Sequence, residues 1–177
     1  MDKAFVSWIY DFSEAEWVDA PMIFFSSWGY KAIIGLFFLL ALLKATRKLG
    51  LAAIAASLAG LVISRTIRWI APRERPFAAL EEVTPLIEKE ASASFPSEQA
   101  LFVGIFIALL WIIRSRLRWA GLLTGLVILV SRVYLGHHYV SDVLIGAILG
   151  GFLYVTISKI FSIKQSFPVE KEKSLIS

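Results

Sequence analysis

Long apolar stretches alternate along this chain with short charged breaks. Apolar residues run almost unbroken through 21–43, 50–70, 96–113, 119–135 and 141–161. Each stretch is near the ~20 residues that a helix needs to cross the hydrocarbon of a bilayer. Inside lipid the backbone has to satisfy its own hydrogen bonds, so helices are the expected form. The pattern predicts an all-α integral membrane protein with about five transmembrane helices. The first span is strongest over 32–43, because Pro21 and Lys31 blur its start. Residues 1–20 mix Trp8, Tyr10 and Trp17 with acids and predict an N-terminal interfacial segment. Residues 71–95 predict a polar loop with a short helix around 80–90. Gly121 with Gly125, and Gly146 with Gly150, have the four-residue spacing that lets helices approach closely.

Composition agrees with the pattern. Hydrophobic residues make up 58% of the 177, and the mean hydropathy is +0.72. Soluble domains hold roughly 45–50% apolar residues. The chain has no cysteine, which excludes a disulfide framework and thiolate metal sites. Two histidines make a poor metal site, so neither a metal nor another cofactor is expected.

Charge adds an orientation. The breaks at 44–48 and 114–118 carry Lys44, Arg47, Lys48, Arg114, Arg116 and Arg118 and no acid. The tail adds Lys164, Lys171 and Lys173, and of the 14 acids only Glu170 and Glu172 lie with these groups. The positive-inside rule places them in the cytoplasm. The N-terminus, the 71–95 loop and the 136–141 turn then face the extracytoplasmic (periplasmic or extracellular) side. On this distribution the net charge of +4 anchors helices and does not imply a nucleic-acid partner. The acidic start lacks the basic-then-apolar order of a cleavable signal peptide, and none is expected.

Three polar clusters fall at the expected outer ends of the spans. The first is Arg68 to Pro76, at the exit of the second span. The second is Phe95-Pro96-Ser97-Glu98-Gln99, at the start of the third. The third runs from Ser131 to Asp142 and contains Arg132, His137 and His138. Charge at such a depth is costly unless used. His138 and Asp142 are four apart, so on a helix they would share a face. The carboxylate would orient one imidazole nitrogen and leave the other free to attack. Arg68, Arg75 and Arg132 would form a cationic cradle suited to phosphate oxygens. Ser97 is placed to cap the third span, to bind phosphate, or to do both. His137 reads as a structural hydrogen-bonding residue.

These residues carry a resemblance to a known family. The chain resembles the type-2 phosphatidic acid phosphatase superfamily, whose pattern is Lys-x6-Arg-Pro, then Pro-Ser-Gly-His, then Ser-Arg-x5-His-x3-Asp. Ser131, Arg132, His138 and Asp142 match the third motif in full. Arg75 and Pro76 match the first, with Arg68 where the family usually has Lys. Only Pro96 and Ser97 match the second. The layout and the Arg-Pro-Phe segment at 75–77 are similar to those of bacterial undecaprenyl-diphosphate phosphatases. The resemblance implies a phosphohistidine on His138, with Arg68, Arg75, Ser97 and Arg132 binding phosphate. It implies one transmembrane phosphatase domain over 1–163, a flexible cytoplasmic tail over 164–177, and location in the cytoplasmic membrane. The implied substrate is a membrane polyprenyl diphosphate; the oligomeric state is not implied.

The second motif departs from the family. Glu98 replaces a glycine, and Gln99 replaces the histidine that protonates the leaving group. Glutamine has no titratable proton, and losing a general acid costs about 10²–10⁴ in rate. Three explanations stand side by side. A diphosphate substrate expels a phosphate ester, with a second pKa of roughly 6, and needs no acid. Another acid, Glu98 foremost, takes over. Or Gln99 marks an impaired chain. The alternatives to undecaprenyl diphosphate hydrolysis are therefore two. One is a phosphatase of phosphatidylglycerol phosphate, diacylglycerol diphosphate or phosphatidic acid. The other is a lipid-phosphate binder without turnover.

Overall fold

The computed structural model describes residues 2, 6, 16–81, 83, 85–87, 90 and 92–163. Every regular element among them is helical. The first helix runs as α1 (Glu16–Phe24), a π-helical turn (Phe25–Gly29) and α2 (Tyr30–Leu42). It is followed by α3 (Arg47–Ile70), a one-turn α4 (Pro76–Ala79), α5 (Glu98–Ile112), α6 (Arg118–Tyr134) and α7 (Val140–Ile160). Three helices are long and apolar enough to cross a membrane: Trp17–Leu42, Arg47–Ile70 and Val140–Ile160. The other two expected spans are shorter. Helix α5 has 15 residues and α6 has 17, which is about 23 and 26 Å at the helical rise.

Helix α5 is short because both ends are fixed. Ser97 caps its start, accepting from the Ala100 N–H at 3.5 Å. Past Ile113 the chain turns through Arg114 at φ 50°. This helix is also the centre of the molecule. Leu101, Val103, Ile105 and Leu109 are buried, and α7, α6, α3 and α2 all pack on it. Its most extensive partner is α7.

The α5–α7 contact is a backbone contact made possible by missing side chains. A Cβ at Gly104 would lie 1.9 Å from the Ala147 carbonyl oxygen. At Gly146 and Gly150 it would lie 2.4 and 2.0 Å from the carbonyl oxygens of Ser97 and Leu101. The close approach brings the first turns of the two helices together, and the Ser97 N–H donates to the Asp142 carbonyl at 3.0 Å. That junction fixes the floor on which the polar clusters meet.

The outward faces are apolar, with Phe38, Leu58, Val62, Leu123, Ile148 and Phe152 exposed. Lipid satisfies such faces where water would not. The helix ends sort by charge as the sequence predicts. Lys44, Arg47, Arg114, Arg118 and Lys159 lie at one end of the helices, and the three polar clusters lie at the other.

Two local expectations change. The short helix described in the 71–95 loop is the single turn Pro76–Ala79, with Pro at its first position, and the described residues between 80 and 90 are not helical. Residues 1–20 are not uniformly interfacial: Val6 is buried and the first helix already begins at Glu16. Trp8 and Tyr10, and the tail over 164–177, lie outside the described residues.

Candidate active site

The ends of α3 and α6, the starts of α5 and α7, and the start of α2 converge on one polar cavity of about 260 Å³. Its walls are Tyr30, Arg68, Arg75, Ser92, Glu98, Gln99, Phe102 and His138. Residues up to 108 positions apart thus meet in one place, as the three-cluster pattern predicts.

His138 sits in the turn between α6 and α7. Gly136, at φ 67°, makes that turn in a backbone region that favours glycine. The imidazole is almost fully buried. Its Nδ1 lies 2.9 Å from the Ser94 carbonyl oxygen. A carbonyl can only accept, so in this contact Nδ1 donates. Its Nε2 lies 3.3 Å from Arg75 Nη1, and both residues line the cavity.

The expected His138–Asp142 pair takes a different form. His138 is not on a helix, so the two residues do not share a helical face. Asp142 Oδ2 is 3.8 Å from Nδ1, too far for a hydrogen bond. Instead Asp142 accepts from the Tyr139 N–H at 2.8 Å, closing the first turn of α7. It also accepts from the Ser94 hydroxyl and from Arg73 Nη1 at 2.7 Å. The carboxylate thus faces the imidazole directly across 3.8 Å and also through Ser94, whose carbonyl holds Nδ1 while its hydroxyl donates to Asp142.

Arg75 is extended just ahead of α4, where Pro76 fixes the following turn. Its Nη1 donates to the His137 carbonyl at 2.8 Å, and its Nη2 donates to the Ser92 hydroxyl at 3.0 Å. Burial, and then the charge of Arg68, pull its pKa down to about 10, so it stays cationic at neutral pH. Arg68, in the last turn of α3, donates to the Pro96 carbonyl at 2.8 Å and to Glu98 at 3.1 Å.

Two expected cradle members stand elsewhere. Arg132 is buried on α6 and does not line the cavity. It donates to the Ser26 hydroxyl in the π-helical turn and to His137 Nδ1 at 3.0 Å. His137 in turn reaches the Ile87 carbonyl at 3.1 Å, tying the loop to the helix ends. Ser97 is also buried away from the cavity, because its hydroxyl is spent on capping α5. Ser92 stands in the cavity wall instead. Gln99 lines the cavity, as does Glu98, which is paired with Arg68.

Sequence reasoning missed Ser92, Ser94, Tyr30 and Arg73. The Ser92-Ala93-Ser94 run just ahead of Phe95-Pro96 was the available signal for the serines. Arg73 stacks on the Tyr139 ring at 3.9 Å and bridges Asp142 to Asp2. Burial tends to lower its pKa, but Asp2 and Asp142 outweigh it and hold the guanidinium charged more firmly. Asp2 is also bonded to Ser141. Burial would raise its carboxyl, but the Ser141 and Arg73 hydrogen bonds prevail and hold it below the usual range.

An imidazole and two guanidinium groups gathered at a cavity of this size form an arrangement suited to phosphate oxygens. Residues 45–165 match the model of the PAP2 superfamily. The chain belongs to that superfamily. Among PAP2 relatives, it is 28% identical over 160 residues to an undecaprenyl-diphosphatase of Sulfolobus acidocaldarius, covering 88% of this chain and 78% of that one. It is 41% identical over 106 residues to the undecaprenyl-diphosphatase BcrC of Bacillus subtilis, covering 57% of this chain and 53% of the relative. The chain thus matches about half the length of that Bacillus protein. The crystal structure of Aquifex aeolicus LpxE has the same fold, with a TM-score of 0.75 at 20% identity over 88% of this chain and 93% of that one.

Proposed function

We propose that this PAP2 protein is a membrane lipid phosphatase that hydrolyses a polyprenyl diphosphate, with undecaprenyl diphosphate as the substrate. The observation that carries the reading is the placement of His138. Its Nδ1 is held by the Ser94 carbonyl at 2.9 Å, its Nε2 is 3.3 Å from Arg75, and the residue lines a cavity walled by Arg68 and Arg75. In the proposed reaction the terminal phosphate binds these two arginines and Ser92. Nε2 attacks the phosphorus in line, and the bond to the bridging oxygen breaks. The lipid monophosphate leaves with the electron pair. Water then cleaves the phosphohistidine and releases inorganic phosphate. Arg73, Asp142 and Ser94 position the imidazole, and Arg132 braces the turn through His137.

Gln99 supports a diphosphate rather than a monoester as the substrate. A monoester expels an alkoxide, whose departure calls for a proton donor. A diphosphate expels a phosphate ester, with a second pKa of roughly 6, that leaves already ionised. Undecaprenyl diphosphate is favoured by the names of the Sulfolobus and Bacillus relatives. The charge distribution supports a single domain over 1–163 with the cavity facing out of the cytoplasm and the 164–177 tail facing in. No metal is assigned a role.

The test is phosphate release by the purified protein in detergent with a chelator present, offering a prenyl diphosphate and its monophosphate. Turnover of the diphosphate alone, abolished by His138→Ala, is the expected result. A second reading, a lipid-phosphate binder without turnover, is favoured by Gln99 alone. It requires that the parent chain release no phosphate and that Gln99→His switch activity on.

A further inference from the structure

Glu98 is the single carboxylate among the described residues that line the cavity. It stands 3.1 Å from Arg68 Nη1 and 4.0 Å from Arg65 Nε. Arg65 and Arg68 are three residues apart on α3, so they are neighbours on one face. They differ in surroundings. Arg68 lines the cavity and is only one-fifth exposed, whereas Arg65 lies outside the lining and is three-quarters exposed. The carboxylate therefore stands between an inner cation and an outer one.

A phosphate that binds Arg68 meets a negative charge already in place. Like charges set against each other cost several kcal/mol, so phosphate and carboxylate cannot share Arg68 in this arrangement. Arg65 offers the carboxylate another partner on the outer side. Glu98 is the first residue of α5, where a negative charge is favoured by the helix start whichever arginine it faces.

We infer that Glu98 is the resident counter-anion of the phosphate subsite and that it moves from Arg68 to Arg65 when a phosphate binds. This rests on reading the cavity as a phosphate site. The exchange makes Glu98 a specificity residue and not a proton donor. It raises the charge an incoming anion needs in order to displace it, which favours a diphosphate over weaker anions. Its return to Arg68 drives inorganic phosphate out after turnover.

The experiment is calorimetric titration of inorganic phosphate into the full chain in detergent, which needs no turnover, alongside lipid diphosphate kinetics. The variants are Glu98→Ala, Glu98→Gln, Arg65→Gln and the Glu98→Ala/Arg65→Gln pair. Removing the carboxylate is expected to tighten phosphate binding about tenfold. Arg65→Gln is expected to weaken it severalfold in the parent and to leave it unchanged once Glu98 is alanine. Equal effects of Arg65→Gln in both backgrounds would reduce Arg65 to a distant field and overturn the exchange. A fall of about 10²–10⁴ in kcat for Glu98→Gln, with loss of one limb of the pH profile, would make Glu98 the general acid and also overturn it. The expected binding cycle without lipid turnover would uphold the exchange while rejecting the proposed reaction. No phosphate binding in any variant would reject the phosphate site and the exchange together.

Discussion

At the level of single residues, the orientation of His138 separates two ways of building a nucleophile. A carboxylate bonded straight to the imidazole would stabilise the charged ring directly. Here a carbonyl fixes the ring and the carboxylate stands 3.8 Å off, held by Ser94 and Arg73. Ser94→Ala keeps the carbonyl and removes the hydroxyl. In the proposed reaction it should lower kcat by about 10- to 100-fold, the range of an outer partner to a reacting group, with KM little changed. Steady-state kinetics on the lipid diphosphate checks this; a change confined to KM would contradict it. Arg75 carries a pH prediction. Its pKa is depressed to about 10, so its charge is complete at neutral pH and is lost as pH rises through that value. Phosphate affinity should therefore fall above about pH 10, and titrations across that range would show whether it does. The residues that sequence motifs pointed to, Arg68, Arg75, His138 and Gln99, do line the cavity. Arg132 and Ser97 do not, because a motif records which residues recur and not which way each one faces. One is a brace on His137 and the other a helix cap.

The helices were legible because their apolar runs are long. Their ends were less so, since α5 stops where capping and a left-handed residue stop it, whatever the hydropathy beyond. The short loop helix was misplaced for a related reason: Pro76 starts a turn that periodicity over four residues cannot reveal. The glycine spacing in α7 has a readable meaning, although Gly104 of α5, which meets Ala147, belongs to no such glycine pair. Because these glycines meet backbone and not the tips of flexible side chains, α5 and α7 cannot yield locally. Gly104→Ala and Gly150→Ala should each destabilise the protein by about 1–3 kcal/mol or more. Gly35→Ala, where a Cβ meets nothing within 4 Å, should not. Thermal unfolding in one detergent compares the three; equal midpoints would show that the helices can separate at little cost.

Across the whole molecule, the basic breaks at 44–48 and 114–118 and the polar cavity lie at opposite ends of the helices. The absence of cysteine in the chain makes their sidedness directly measurable. Single substitutions Glu81→Cys and Ser115→Cys, in intact cells, should react oppositely with a membrane-impermeant maleimide. The first should label from outside, and the second only after the cells are opened. Labelling of Ser115→Cys from outside would reverse the proposed orientation. The same layout ties the cavity end of the molecule to distant parts of the chain. Asp2 reaches Ser141 and Arg73 across 139 and 71 positions. One further consequence concerns what genetics can see. The group that points the proposed nucleophile is a main-chain oxygen in a loop, and every amino acid at position 94 would supply it. A complete substitution scan would thus pass over the contact that aims His138, and only a deletion or insertion between Leu80 and Phe95 would expose it.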